Sequence, residues 1–201
     1  PGNIQYRDIN GDGNITPVDD YAIIGNPYPD FVWGMTNTVD YRNFSLSVLL
    51  TGSYGGEKLK ASNEYLLNID GVFNVDRTVM NRWRSPDDPG NGMAPTTNGT
   101  GRSRVLYRDI NSTWTQDNSH LWIKNITLSY DLASILPGER FRNASIYGSV
   151  QNALLISGYD GNPEVQNYGT GGRYDGALTP GVDYTNYPVP RVISVGLKLG
   201  F

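Results

Sequence analysis

Five stretches of the chain alternate apolar and polar residues with the period of two that a strand with two unlike faces imposes. The expected strands run from about Val32 to Tyr41, Phe44 to Tyr54, Leu121 to Leu132, Ala144 to Ile156 and Arg191 to Phe201. In the second, Phe44, Leu46, Val48 and Leu50 share one face, and Ser45, Ser47 and Thr51 share the other. In the third, Trp122, Ile126, Leu128 and Tyr130 oppose Asn125, Thr127 and Ser129. In the fifth, Ile193, Val195, Leu197, Leu199 and Phe201 face one way, and Ser194, Gly196, Lys198 and Gly200 the other. Each stretch exceeds the five or six residues usual for soluble strands and reaches the roughly 9–11 that a tilted strand needs to cross a bilayer. A soluble β-sandwich alternates in the same way, so alternation alone leaves both architectures open.

The links separate them. Arg42 and Asn43 join the first two strands, short enough for a hairpin. The link from Ala133 to Asn143 is also short, whereas those between the second and third and between the fourth and fifth strands are far longer. Loops beyond about 15 residues are uncommon in compact domains, but transmembrane barrels alternate short turns on one side with long loops on the other. The expectation is therefore an antiparallel all-β transmembrane barrel segment. Within the longest link, Leu59, Leu66 and Leu67 suggest a helix before Gly71. Val75, Val79, Met80 and Trp83 suggest another, with Asn74 as N-cap and Ser85-Pro86 as its stop.

Composition narrows the function classes. Glycine supplies 24 of 201 residues, charged residues only 18%, and the formal net charge is −4. The acidic balance argues against nucleic-acid binding. Without cysteine, disulfides, thiol catalysis and Cys-based zinc sites are excluded, and the single histidine rules out a multi-His metal centre. No apolar run approaches the ~20 residues of a membrane helix.

The sharpest motif is Asp8-Ile9-Asn10-Gly11-Asp12-Gly13-Asn14, followed by Thr16-Pro17 and Asp19. Read as a twelve-residue Ca²⁺ loop, it places Asp8, Asn10 and Asp12 at positions 1, 3 and 5. Gly13 supplies the sharp turn, Asn14 a backbone carbonyl, Thr16 a contact through water and Asp19 the closing carboxylate. Position 12 is Asp rather than Glu, and no entering helix fits; Thr16-Pro17 suits the start of a short exiting helix. The same residues also form metal-free Asx turns, so the choice is a structural Ca²⁺ clip or a self-bonded loop. At the other end, Ser194, Gly196, Leu199 and Phe201 sit in a polar-x-Gly-x-x-apolar-x-aromatic pattern.

Catalytic constellations are weak. His120 has Asp117 nearby but no nucleophile elbow accompanies it, and it is expected to be a solvated loop residue. Asp160 and Glu164 have the chemistry of a glycosidase pair, but in a Gly/Pro-rich loop they are expected to form turns. Gly169 to Gly172 follows no strand and lacks a phosphate-binding Lys. Tyr159, Tyr168, Tyr174, Tyr184 and Tyr187 crowd one long link, where an apolar body with a polar tip suits sugar or peptide contacts and equally suits packing of the link on itself. The expectation is a chain without enzymatic activity.

These residues resemble the C-terminal end of the SusC/RagA family of TonB-linked outer-membrane transporters. The resemblance is carried by Asp8 to Ile15, Ile24-Gly25-Asn26-Pro27-Tyr28-Pro29-Asp30-Phe31, Tyr41 to Leu46, Leu121 to Tyr130, Gln151-Asn152-Ala153-Leu154, Tyr159 to Glu164, Tyr187-Pro188 and Gly196 to Phe201. It implies about five strands of a 22-stranded barrel with long extracellular loops containing short helices, residues 1–31 forming a calcium-loop-like extracellular segment and 32–201 the C-terminal strands. It also implies that the terminal pattern at Ser194, Gly196, Leu199 and Phe201 is a barrel assembly signal. The implied partners are the remaining barrel and plug, outer-membrane lipid, a SusD-like lipoprotein lid, TonB acting through an N-terminal part, and an oligosaccharide or peptide cargo. The implied location is the outer membrane of a Gram-negative, Bacteroidota-type bacterium. Five strands cannot close a barrel that needs at least eight, so the chain is expected to be the terminal portion of a longer transporter. The competing expectation is a secreted, calcium-clipped β-sandwich that binds carbohydrate or mediates adhesion.

Overall fold

The computed structural model describes residues 2–16, 18–69, 73–92, 94–96, 110–132, 135, 143–165, 179–184 and 187–200. Its strands are β1 (Phe31–Tyr41), β2 (Phe44–Tyr54), β3 (Glu57–Lys60), β4 (Thr115–Asp117), β5 (His120–Asp131), β6 (Asn143–Ser157), β7 (Val182–Asp183) and β8 (Val192–Gly200). One four-residue helix, α1 (Asn63–Leu66), and two 3₁₀ turns, Arg77–Asn81 and Ser112–Trp114, complete the regular structure among the described residues. No helix there is long and apolar enough to cross a membrane. The residues fall into two compact units: Tyr28–Gly56, Asp117–Glu164 and Tyr187–Phe201 in one, and Pro1–Pro27, Glu57–Gln116 and Val165–Asn186 in the other. The second unit thus gathers the long links together with the segment that opens the chain.

The first unit is a five-stranded antiparallel sheet in the order β1-β2-β5-β6-β8. Each long strand pairs with the next long strand in sequence, the meander of an up-and-down barrel wall. All five expected strands are present, with ends within about a residue or two of the sequence reading; Phe201 lies outside the described residues. The β1–β2 hairpin closes on the pair Tyr41↔Phe44, and Arg42 adopts the positive φ of 53° that its two-residue turn requires.

The apolar face is uncovered. Phe31, Trp33, Met35, Val39 and Tyr41 on β1 continue across Leu46 and Phe44 on β2 and Leu128 on β5. Ile146, Leu154 and Ile156 on β6 and Ile193, Val195 and Leu197 on β8 complete it. The last three are 73%, 77% and 60% exposed. A sandwich must pack these side chains in a core, so that alternative is set aside. The aromatic residues concentrate at the two ends of the band. Phe31 stacks on Tyr54 with ring centroids 5.6 Å apart, and at the opposite end Phe44 meets Tyr130 edge-on at 4.6 Å. Ten residue steps from Phe31 to Tyr41 span about 34 Å along the strand, or about 25 Å of depth at a tilt near 45°, the height of an outer-membrane apolar band.

One expectation about this face is corrected. Trp122 does not share the side of Ile126, Leu128 and Tyr130. The register slips between Ile123 and Asn125, so Asn125 opposes Leu49 while Ile123 opposes Leu50. Lys124 is the extra residue of a β-bulge, and one extra residue reverses the facing of everything beyond it. Trp122 pairs with Thr51 on the polar side and is only 3% exposed. Close packing of a different kind occurs at Gly52, where a Cβ would lie 2.7 Å from the Trp33 ring and 2.7 Å from the His120 carbonyl; only glycine admits the indole there.

The second unit is held by short contacts. A small sheet in the order β4-β3-β7 pairs Leu59 and Lys60 in parallel with Val182 and Asp183. The backbone of Asn26 exchanges two bonds with Glu57: Glu57 N–H donates to the Asn26 carbonyl (2.7 Å), and Asn26 N–H donates to Glu57 Oε2 (2.6 Å). Helical periodicity here is only partly realised. The Leu59–Leu67 region yields a single helical turn, and the second expected helix is the 3₁₀ turn Arg77–Asn81. Its cap is Asp76, whose carboxylate accepts from Thr78 N–H at 2.8 Å, rather than Asn74. Thr16 opens one turn, closed by Asp20 N–H to its carbonyl at 3.2 Å, and no helix follows; Pro17 lies outside the described residues.

Candidate functional site

The polar face of the sheet carries Ser45, Ser47, Thr51 and Ser53 from β2 and His120, Trp122, Asn125, Thr127 and Ser129 from β5. Gln151 and Ser149 from β6 and Ser194 from β8 extend it. Chemistry concentrates where the Lys124 bulge turns the lysine towards Trp122, with Nζ 3.2 Å from the indole centroid. Glu164, from the segment that follows β6, reaches this group. Its Oε2 accepts from Lys124 Nζ at 2.6 Å, its Oε1 accepts from Thr51 Oγ1 at 3.4 Å, and His120 Nε2 stands 3.6 Å from the same oxygen. On the other side of the imidazole, Nδ1 lies 3.0 Å from both the Ser53 hydroxyl and the Asn118 carbonyl.

Two expectations change here. His120 opens β5, and its side chain is 6% exposed, so it is not a solvated loop residue. Burial follows because β2 and the Glu164 segment bring polar partners to both ring nitrogens. Glu164 is not confined to a turn; it anchors its segment to Lys124 across 40 residues of sequence. The partners Lys124, Thr51 and Ser53 were missed, although the two consecutive polar residues Lys124 and Asn125, which break the alternation of the strand, were a usable signal.

The Asp8 loop is closed by its own side chains. Asp8 Oδ1 accepts from Gly11 N–H (2.7 Å) and Oδ2 from Gly13 N–H (2.8 Å), with Gly11 and Gly13 at φ of 77° and 82°. Asn10 Oδ1 accepts from Asp12 N–H at 2.9 Å, and Asp12 Oδ1 from Asn14 N–H at 2.7 Å. Asp19 is engaged by the Thr16 hydroxyl at 3.1 Å, while Asp20 bridges the loop ends by accepting from Ile9 N–H (2.8 Å) and Thr16 N–H (2.6 Å). The two backbone donors, that of Thr16 first, hold the Asp20 carboxyl below the ordinary carboxylate range. Among the described residues no three Asp, Glu or His side chains converge as a ready metal cluster. The donors are nonetheless the hard oxygens Ca²⁺ prefers, and a carboxylate oxygen with one hydrogen bond keeps a second lone pair.

The remaining positions separate. Ser194 pairs with Ser149 on the polar face, Leu199 with Ala144, and Gly196 lies under the Tyr147 ring, which leaves no room for a Cβ. Tyr159 is buried, at 3% exposed, against Gly161 rather than presented to a ligand. Tyr184 hydrogen-bonds the Tyr65 hydroxyl at 2.8 Å, and Tyr187 is fully exposed. Tyr168, Tyr174 and Gly169 to Gly172 lie outside the described residues.

No protein-family model matches the chain. Over 204 aligned residues it is 33% identical to TonB-dependent receptor P26 of Formosa agariphila, covering all of this chain and 20% of that protein. It is 28% identical to TonB-dependent receptor SusC of Bacteroides thetaiotaomicron, covering 98% of this chain and 17% of SusC. Among solved structures, the RagAB peptide importer in its closed-closed state superposes with a TM-score of 0.68 at 18% identity, over 94% of this chain and 19% of that one. The chain spans about a fifth of the length of the relatives it matches.

Proposed function

Because this chain belongs to the SusC/RagA family of TonB-dependent receptors, we propose that it forms part of the barrel wall of a nutrient importer in the outer membrane of a Bacteroidota-type bacterium. The observation that carries this reading is the uncovered apolar face with aromatic rings at both ends, opposite a face of hydroxyls, amides and charges. Lipid satisfies the first face, and an aqueous lumen or plug the second. The open edges β1 and β8 pair with further strands of the same receptor, since unpaired edges in hydrocarbon cost several kcal/mol per polar group. In this reading residues 1–31 and the long links stand outside the cell, and the five long strands within 32–201 supply the wall. A surface lipoprotein of the SusD type lids the barrel, TonB drives opening through the plug, and the cargo is an oligosaccharide or peptide. The terminal positions Ser194, Gly196, Leu199 and Phe201 serve as the assembly signal. The test places single spin-labelled cysteines from 193 to 198 in a full-length receptor in bilayers. Oxygen accessibility should peak at 193, 195 and 197, and polar-reagent accessibility at 194, 196 and 198; accessibility without a two-residue phase overturns the wall reading.

For the Asp8 loop we propose a bound Ca²⁺ held by Asp8, Asn10, Asp12, the Asn14 carbonyl and Asp19. What favours it is a backbone already folded round Asp8 by two glycines at positive φ. Ca²⁺ should slow amide exchange across residues 8–20 in the receptor and Asp12→Ala should remove that response. Equal exchange in Ca²⁺ and in chelator leaves the loop to its hydrogen bonds alone.

A further inference from the structure

The motif from Tyr159 to Glu164 has a second consequence, which starts from the tautomer of His120. A carbonyl only accepts, so the ring nitrogen 3.0 Å from the Asn118 oxygen, Nδ1, carries its proton towards that oxygen. In a neutral imidazole, Nε2 is then bare, and it faces Glu164 Oε1 at 3.6 Å. Two acceptors confront each other there. Protonation converts Nε2 into a donor aimed at a carboxylate, a charge-assisted contact about twice as strong as a neutral one.

The surroundings leave this pair as the element that changes with pH. From β5, Lys124 is the other cation on Glu164, already engaged with the opposite oxygen at 2.6 Å. From β2, the facing groups are the hydroxyls of Thr51 and Ser53. From β6, the residue opposite His120 is Ser157. Asp117, three residues before, is held by the Ser119 hydroxyl at 2.7 Å and backbone at 2.9 Å and does not compete for the ring. The closed arrangement also carries a cost. The Trp122 indole N–H, beside Lys124, is buried without a hydrogen-bond partner, a deficit a buried donor carries in full.

We propose that His120 and Glu164 form a pH-sensitive latch that tightens the hold of the 158–164 segment on the polar face of the sheet in acid and loosens it, with the Lys124 contact still in place, as the imidazole loses its proton. In the importer reading, on which only this consequence rests, the latch sets how much of the inner wall that segment covers. Hydrogen exchange of the 158–164 amides in the full-length receptor tests it, compared at pH 5.5 and 8 after correction for intrinsic rates. Wild type should be on the order of three- to tenfold better protected in acid, the range set by a partly exposed ion pair and a fully formed one. His120→Gln should abolish the pH dependence, and Glu164→Gln should abolish it and lower protection at both pH values. Unchanged exchange in β2 and β8 would show that the variants fold. Protection in wild type that does not vary with pH, or His120→Gln retaining the wild-type dependence, overturns the latch. The spin-label phase along β8 is unaffected by either result, so failure of the latch and failure of the wall reading are separately visible.

Discussion

In the five-stranded sheet, strands of 9 to 15 residues bond along their length and leave a broad apolar face uncovered. The unit made from the opening segment and the long links instead uses strands of two to four residues, one helical turn and Asx-type caps. In the sheet, side chains are distributed by face, so stability depends on what solvent each face meets. In the second unit it depends on individual bonds, such as those of Asp76 and Asp20. The same kind of substitution should therefore have different consequences in the two.

The largest expected effect is on the apolar face. Val195→Arg, near the middle of β8, should cost about 2–4 kcal/mol of assembly into bilayers, the penalty for a cation at mid-membrane depth. Ser194→Arg on the polar face should cost far less, and the folded fraction in vesicles measures both. Equal penalties at 194 and 195 would erase the distinction between the faces. Next, Gly52→Ala drives a methyl into the Trp33 ring and a carbonyl. A loss of roughly 1–3 kcal/mol is expected, seen as weaker exchange protection of β1 and β2, and Gly52→Ala/Trp33→Ala should recover part of it. In the other unit, Asp76→Ala removes a cap worth about 1 kcal/mol and should loosen only the amides of residues 77–81.

The smallest effect is one of pH. Backbone and side-chain bonds from Thr78 hold the Asp76 carboxyl below its ordinary range, and Thr16 and Ile9 do the same for Asp20. A carboxylate whose folded value is depressed contributes stability above the ordinary carboxylate range and loses it as pH falls through the depressed value. Acid should therefore open these two turns while the sheet stays intact, measured as local exchange against β2 and β5. Simultaneous loss of both would remove the contrast.

How much of this was legible follows the same division. The long strands announced themselves because each face meets a different environment throughout, and period two survives in the sequence at Phe44–Leu50 and Ile193–Leu199. Unequal links supplied the architecture. The small parallel sheet stayed hidden because β7 is two residues long and its partner, β3, lies well over a hundred residues earlier in the chain. The 3₁₀ turn at Arg77–Asn81 read as a helix because Val79 and Met80 fit either period. In the polar cluster, His120 and Glu164 were visible as residues but not as neighbours, since nothing in the local pattern reports a contact spanning 44 positions. For the tyrosines of the last long link the sequence left ligand contact and self-packing both open, and Tyr159 and Tyr184 take the second.

The bulge at Lys124 carries one more implication. A barrel strand behaves like text read two letters at a time, and Lys124 is a single inserted letter: below it Asn125, Thr127 and Ser129 spell the water side, above it Trp122 and His120 do. Excise that residue and the upper phrase inverts, turning an imidazole towards hydrocarbon and stranding Glu164 without its cation. Any scan that demands one unbroken phase along β5 will shorten the strand at this point and misassign the residues that matter most to its chemistry.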